Sequence, residues 1–179
     1  MPKHFFSIDV ESMGLLGKPF AVGWVVVDEQ NDEKEEGYLR CSHNTKGVSL
    51  EDMEWMHENV FPHLSEANCE DLKELIDEFW AAWERANKKY ENLTMVCDVP
   101  FPVETNFLST CLQELGLGRN ASPYPLIDVA SVLLASGRDP LGDYDRHGKE
   151  FPAHHPTNDA RQSARLLVEA LRDLSPTVW

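Results

Sequence analysis

The stretch HFFSIDVE at residues 4–11 decides what kind of sheet this chain builds. Its apolar run predicts a buried strand. Side chains two positions apart on a strand point to the same face, so Asp9 and Glu11 converge while Val10 faces away. Adjacent carboxylates repel unless a cation lies between them, and Mg²⁺ or Mn²⁺ prefers oxygen ligands. The alternative is a solvated strand end that carries two acids.

A third acid stands where another apolar run ends. Residues 93–97 (LTMVC) predict a strand that ends on Asp98, and Pro100 and Pro102 prevent its regular continuation. Helical spacing of apolar residues then predicts a helix that ends near Gly116. Asp98 is therefore expected at a strand-to-helix junction, where open sheets bind ligands. A turn or a helix cap is its alternative role.

The third segment lies near the end of the sequence and reads HHPTNDA at residues 154–160. Pro156 suits the first turn of a helix, and apolar residues continue that helix at 3.6-residue spacing. Asp159 is therefore expected early in this helix, with His154 in the loop before it. A histidine beside a metal-bound carboxylate suits proton transfer near neutral pH.

Together these segments resemble the DEDDh group of 3′-5′ exonucleases, which have the ribonuclease H-like fold. The D-x-E motif is matched by Asp9-Val10-Glu11, the middle acid by Asp98, and H-x4-D-A by His154 through Asp159-Ala160. Val60-Phe61-Pro62-His63-Leu64 is faintly similar to small stand-alone bacterial exoribonucleases. The sequence departs from the family pattern at Ser12 and Met13, where threonines are usual, and at the two prolines after Asp98. Because His155 stands next to His154, either could be the general base of the family motif. The motif places its histidine five residues before the aspartate, and this spacing favours His154.

The resemblance implies that Asp9, Glu11, Asp98 and Asp159 hold two Mg²⁺ or Mn²⁺ ions and that His154 is the general base. It also implies that substrate is contacted by Ser12, Met13, Gly14, Leu15 and Asn106, with Leu15 or Met13 against the last base. The expected product is a nucleoside 5′-monophosphate released from single-stranded nucleic acid. RNA is favoured over DNA because the small stand-alone relatives act on RNA.

The strand pattern predicts an α/β fold in one domain over residues 1–179, with the ribonuclease H-like mixed sheet. Strand-like runs near residues 4–10, 20–28 and 37–42 predict an antiparallel meander, with an Asn- and Asp-rich turn between the second and third strands. Parallel strands ending at Asp98 and near residues 125–127 follow, and helices flank the sheet.

Two helices are predicted around the last two strands. A long helix before the fourth strand is expected to start at an Asn68 cap. Its apolar stripe is assigned to the core or to a dimer contact, so a homodimer stays open; the stripe comprises Leu72, Leu75, Ile76, Phe79, Trp80 and Trp83. Asp128 is expected to cap the helix that follows the fifth strand.

Composition limits the kind of partner. Sixteen basic residues against 31 acidic ones give a net charge of −15, which predicts few phosphate contacts and a small nucleic-acid footprint. The acids outside the site are expected in solvated runs, among them a hairpin tip at residues 32–36. No apolar run approaches transmembrane length, so no membrane partner is expected. The four widely spaced cysteines predict buried thiols and a cytoplasmic location, with half a zinc site at Cys41 and His43 as the alternative.

Residues 137–153 carry Arg138, Arg146, His147 and Lys149 and are expected either to meet the phosphate backbone or to form an ordinary exposed loop. The alternative functions are a non-catalytic nucleic-acid-binding or scaffold relative and a metal-dependent phosphatase. The complete set of acids disfavours a non-catalytic relative, because a binding module needs no metal ligands. A phosphatase of this kind would usually carry a second Asp two residues after Asp9, and Glu11 stands there instead.

Overall fold

A computed structural model of the chain describes residues 4–140 and 152–174. Five strands form one sheet in the order β3-β2-β1-β4-β5. β1, β2 and β3 are an antiparallel meander, and β4 and β5 continue the sheet parallel to β1. The predicted mixed sheet is therefore confirmed. The strands are β1 (His4–Ser12), β2 (Pro19–Asp28), β3 (Glu33–Arg40), β4 (Leu93–Cys97) and β5 (Leu126–Asp128).

Helices cover both faces of this sheet. They are α1 (Leu50–Asn59), α2 (Leu72–Lys89), α3 (Val103–Glu114), α4 (Val129–Ala135) and α5 (Pro156–Asp173), with short 3₁₀ turns at Phe61–His63 and Arg119–Ala121. Among the described residues, no helix is both long and apolar enough to cross a membrane.

Alternation along β1 separates two apolar cores. Phe6, Ile8 and Val10 face the core built with α2 and α3, whereas Phe5 faces the core built with α4 and α5. Odd-numbered side chains therefore point towards α5. The α2 stripe packs in the first core, where Phe79 is fully buried. Each such large apolar side chain contributes about 1.5–3 kcal/mol by leaving water.

The start of α2 differs from the prediction. Asp71 is the N-cap, because its Oδ1 accepts a hydrogen bond of 2.9 Å from the Glu74 amide. Asn68 instead joins the preceding loop to β3: its side chain accepts from the Arg40 amide at 2.8 Å and donates to the Tyr38 carbonyl at 2.9 Å. The prediction that Asn68 caps α2 was wrong, because the Asn68 side-chain amide bonds to the backbone of β3 instead.

Other predicted helix ends are confirmed. Gly116 follows α3 with a φ of 62°, as a left-handed C-terminal residue should. Asp128 caps α4 by accepting from the amides of Ala130 at 3.1 Å and Ser131 at 3.2 Å. Pro156 stands in the first turn of α5.

Helix α1 was not predicted, although the sequence contains a signal for it. Ser49 Oγ accepts from the Asp52 amide at 3.0 Å, which is the N-cap half of a capping box. Only Met56 of this helix is buried, so its apolar periodicity is too weak to reveal it.

The acidic run at residues 32–36 is largely exposed, as expected, but from Glu33 onwards it belongs to β3 rather than to the hairpin tip. The turn comes earlier, where Asp28 Oδ1 accepts from the amides of Gln30 and Asp32 at 2.9 Å each. Glu33 begins β3, and its carboxylate lies 2.7 Å from Arg161 Nε of α5. Glu35 pairs with Lys89 of α2. Cations on the helices that cover this edge strand therefore partner its acids.

Candidate active site

The acids of the predicted site meet at the carboxyl end of β1. Asp9 and Glu11 share the odd-numbered face with Phe5, which packs against α5. Asp159 lies in the first turn of α5. Strand parity and helix position thus bring together residues that are about 150 positions apart in the sequence.

A close approach of α5 to the sheet makes this meeting possible. Gly23 of β2 pairs with Asp9 across the sheet. A Cβ on Gly23 would lie 2.1 Å from the backbone nitrogen of Thr157, so only glycine admits the start of α5 here. Thr157 Oγ1 then donates to the Gly37 carbonyl at 3.0 Å, which fixes the helix start to β3.

Glu11, His154 and Asp159 form the tightest group. Each offers one ligand atom, and these three atoms lie within 4.8 Å of one another. In the part of the chain that the structure describes, no other set of three or more His, Cys, Asp or Glu side chains comes so close. The alternative zinc site is therefore not formed there. Instead, His43 stacks on Phe61 with ring centroids 4.6 Å apart.

His154 is held in an unusual backbone conformation. Its φ is 60°, in the left-handed region that a non-glycine residue seldom adopts. The His154 amide donates to Asp159 Oδ2 at 2.8 Å, and its ring meets the edge of Trp55 with centroids 5.3 Å apart. These contacts orient the imidazole towards the acids.

His155 has a different role from its neighbour. Its ring stacks on Tyr38 with centroids 4.8 Å apart, and its Nε2 lies 3.4 Å from Ser65 Oγ. Burial lowers the pKa of His155. Its side chain makes no cap hydrogen bond to α5, so His155 is a packing residue.

Burial and mutual repulsion dominate the electrostatics of the acids. The pKa of Asp9 is raised well above its usual range, first by burial and then by the charges of Asp159, Glu11, Glu104 and Asp98. The pKa of Glu11 is raised to about 8, again first by burial and then by Asp159 and Glu104. With this pKa, Glu11 is mostly protonated near neutral pH unless a cation compensates its charge.

Glu104 is a buried acid that the sequence reasoning missed. It is 6% exposed. Burial raises its pKa to about 7, against the lowering effect of hydrogen bonds with its own backbone and that of Val10. A signal was present, because Glu104 shares the inward stripe of α3 with Phe107, Leu108 and Cys111. An acid on the apolar face of a helix is unusual unless it has a partner.

Asp98 is less enclosed than Glu104 and falls in the same intermediate range of exposure as Asp9, Glu11 and Asp159. It follows β4 as predicted and is half-buried. Its charge raises the pKa values of both Asp9 and Glu104, which places it in the same electrostatic neighbourhood. It is not part of the group formed by Glu11, His154 and Asp159.

The predicted substrate-contacting residues divide between two cavities. Glu11, Ser12, Gly14 and Leu15 line a cavity of about 260 Å³ beside the acids. Asn106 lines an adjoining cavity of about 910 Å³ that shares Gly14 and Leu15.

The residues of the loop after β1 differ in exposure. Ser12 Oγ donates to the Gly14 carbonyl at 2.8 Å, which shapes the loop. The Met13 side chain is 4% exposed and packs in the core, whereas Leu15 is 71% exposed. Leu15 is thus the residue of the two that can reach a base.

The basic segment lies mostly outside the described residues, including Arg146, His147 and Lys149. Arg138 is described, and it does not project towards the site. Its Nε donates to Asp173 Oδ2 at 2.8 Å and its guanidinium lies 3.2 Å from Glu169, both on α5. Arg138 therefore forms ion pairs with α5 instead of the phosphate contact that was one of its two expected roles.

No protein-family model matches the sequence, and no curated protein matches it either. Solved structures do match. The Mg²⁺- and Mn²⁺-bound form of Pop2p from S. pombe superposes with a TM-score of 0.64 at 13% identity, over 92% of this chain and 81% of Pop2p. Exonuclease I superposes with a TM-score of 0.65 at 12% identity, over 93% of this chain. E. coli exonuclease I in complex with a dA16 oligonucleotide gives 0.62 at 12% identity.

These likenesses establish the fold. The chain has the ribonuclease H-like fold of Pop2p and exonuclease I, with the strand order β3-β2-β1-β4-β5. The structural similarity to 3′-5′ exonucleases that the motifs indicated is confirmed at this level. The chain spans 81% of Pop2p and 41% of exonuclease I.

Proposed function

We propose that this chain is a metal-dependent 3′-5′ exonuclease that removes nucleoside 5′-monophosphates from single-stranded nucleic acid. The observation that carries the proposal is the convergence of Glu11, His154 and Asp159 within 4.8 Å at the end of β1, beside the half-buried Asp9. Buried like charges are costly, and a purely structural role would not require them.

The donor set fits Mg²⁺ or Mn²⁺. Both ions take carboxylate oxygens, and the site offers those of Asp9, Glu11 and Asp159, with Asp98 as the fourth ligand expected from the sequence. Glu104 is a further candidate because it is buried beside Asp9 and raises the pKa of that carboxyl. Asp98 and Glu104 are therefore both included among the proposed ligands of the two metal ions.

The reaction follows from the placement of the side chains. Bound Mg²⁺ or Mn²⁺ would lower the pKa of a coordinated water and offset charge on the phosphodiester. His154 accepts the proton of the attacking water. Asp159, which accepts from the His154 amide, keeps the imidazole facing the site. The water oxygen bonds to phosphorus, the 3′-oxygen of the preceding nucleotide departs, and a nucleoside 5′-monophosphate is released.

Single-stranded substrates suit the surroundings of the site. E. coli exonuclease I, which shares the fold, is known with a dA16 oligonucleotide. The net charge of −15 leaves few basic residues for a long duplex. Preference for RNA over DNA and a cytoplasmic location are part of the proposal.

The test uses 5′-labelled RNA and DNA oligomers of equal sequence, incubated with Mg²⁺, Mn²⁺ or EDTA. We expect a metal-dependent ladder that shortens from the 3′ end, with RNA cut faster. Asp9→Asn should abolish it. Oligomer binding without shortening would support the non-catalytic relative, and phosphate release from a monoester without a ladder would support the phosphatase. Either result would overturn the proposal.

A further inference from the structure

Helix α1 places one carboxylate on the wall of the cavity beside the active site. The 260 Å³ cavity is lined by Glu11, Ser12, Gly14 and Leu15 on one side and by Asp52, Trp55 and Met56 of α1 on the other. Residues three and four positions apart share a helix face, so Asp52, Trp55 and Met56 form one surface. No acid on this surface was expected from the sequence.

The cavity connects the metal-binding acids to Asp52. Glu11 lines it at one end and belongs to the group with His154 and Asp159. Trp55 touches the His154 ring and also lines the cavity. A phosphate at the acids would therefore direct its attached sugar into this space. The volume lies slightly below the range for drug-sized ligands, so a single nucleoside is the largest unit that it suits.

Asp52, which lines the cavity, retains hydrogen-bonding capacity. Ser49 Oγ donates to its Oδ2 at 2.7 Å. In the described part of the chain, its Oδ1 accepts no hydrogen bond and no basic side chain pairs with it. The carboxylate lies against Gly14, because a Cβ on that glycine would be 3.1 Å from Oδ2. Gly14 has a φ of 78°, which suits glycine and brings the loop close.

A carboxylate in this position selects hydroxyl donors. It repels phosphate, so the phosphate group stays at the metal-binding end of the cavity. It accepts hydrogen bonds from vicinal hydroxyls, of which a terminal ribose has two and a terminal deoxyribose has one. We infer that Asp52 is a specificity-determining residue that accepts hydrogen bonds from the terminal ribose and favours RNA ends over DNA ends. This inference rests on the proposed function.

The experiment compares two oligomers that differ in one atom. One is all-RNA, and the other carries a single 2′-deoxynucleotide at its 3′ end. The rate of first-nucleotide release, as kcat/KM, is measured with the parent and with Asp52→Asn. We expect the parent to prefer the ribose end by roughly ten-fold or more, the usual effect of a hydrogen bond to a charged group. Asp52→Asn should bring this ratio close to one.

Glu51→Gln is the matched control. Glu51 stands beside Asp52 in the first turn of α1, is exposed and does not line either cavity. It removes the same charge from the same helix end, so its ribose-to-deoxyribose ratio should equal that of the parent. Melting temperatures of both variants identify any loss of fold. Calorimetry with adenosine 5′-monophosphate and its 2′-deoxy analogue gives the same ratio without turnover.

The possible results separate two failures. If the parent cuts neither oligomer, the proposed function fails and the inference falls with it. If the parent cuts both and the ratio is unchanged in Asp52→Asn, the nuclease stands and the inference is overturned. A loss that depends on the identity of the terminal base, and not on its sugar, would assign Asp52 to the base and would also overturn it.

Discussion

Glu104 occupies a position on α3 that an apolar side chain would ordinarily hold. It is 6% exposed and raises the pKa of Asp9. A buried carboxylate costs several kcal/mol unless it is protonated or partnered. Its hydrogen bond with the backbone of Val10 offsets part of that cost. We expect the rest to be offset by a cation shared with Asp9.

The first prediction distinguishes Glu104 from Asp98 as a metal ligand. A cation that binds the folded state raises the melting temperature, and millimolar Mn²⁺ should do so for the parent relative to EDTA. Glu104→Gln should remove most of this rise, because Glu104 is the more buried of the two acids. Asp98→Asn should remove less. If Asp98→Asn alone abolishes the rise, the four-acid set expected from the sequence is the right one.

The second prediction concerns the two neighbouring histidines. His154→Ala should lower turnover by roughly 10²–10⁴-fold, the usual contribution of a general base, while the Mn²⁺-dependent rise in melting temperature persists. His155→Ala should lose the stacking on Tyr38, which contributes about 0.5–1.5 kcal/mol, and should change turnover little. Loss of the Mn²⁺ response in His154→Ala would instead make His154 a ligand.

At the level of elements, the contact between β2 and α5 positions the site. Helix α5 carries Asp159 and can approach β1 only because Gly23 has no side chain. The hydrogen bond from Thr157 to Gly37 fixes the same helix start from the neighbouring strand. The distance between the two halves of the site therefore depends on the missing side chain of Gly23 and on the carbonyl of Gly37.

The third prediction is that Gly23→Ala weakens both the fold and metal binding. The added methyl group would overlap the Thr157 backbone, so α5 must shift and unfolding should become easier by about 1–3 kcal/mol. The same shift moves Asp159 away from Glu11, so the Mn²⁺ titration followed by melting temperature should need more metal. Gly118→Ala is the control, because nothing lies within 4 Å of its added Cβ. Its effect should stay within about 0.5 kcal/mol, and an equal effect of the two variants would contradict the role of Gly23.

At the level of the whole molecule, the acid cluster should make stability depend on pH. The pKa values of Glu11, at about 8, and Glu104, at about 7, exceed the ordinary value of 4.5. Folding therefore favours their protonated forms. Their contribution is complete below about pH 4.5 and is lost as pH rises through the folded-state values. The lowered pKa values of His43 and His155 act in the opposite sense.

The fourth prediction follows from this sign. In EDTA, the melting temperature should fall between about pH 5 and pH 8.5, with a loss of a few kcal/mol of stability. Glu11→Gln keeps the same histidines and should show a smaller fall. Mn²⁺ binds the deprotonated carboxylates and should remove most of the fall. A melting temperature that rises over this range in EDTA would show that the acids are not buried as described.

The elements that local patterns could predict are those with strong periodicity or clear end signals. The apolar run in HFFSIDVE predicts β1, and Pro156 with its apolar spacing predicts α5. Helix α1 has little buried surface, so its periodicity is weak and only the Ser49 cap marked it. Asn68 has the chemistry of a cap but bonds to β3, and a contact across 28 residues leaves no local signal.

The sequence alone determined the class of sheet, the pairing of Asp9 with Glu11 on one face, and the placement of Asp159 at a helix start. These follow from backbone periodicity, which acts over a few residues. Only the tertiary structure decided that Glu104 turns inward and that Asp52 lines the neighbouring cavity. Those outcomes depend on how close α1, α3 and α5 come to the end of β1, and packing between distant segments sets those distances.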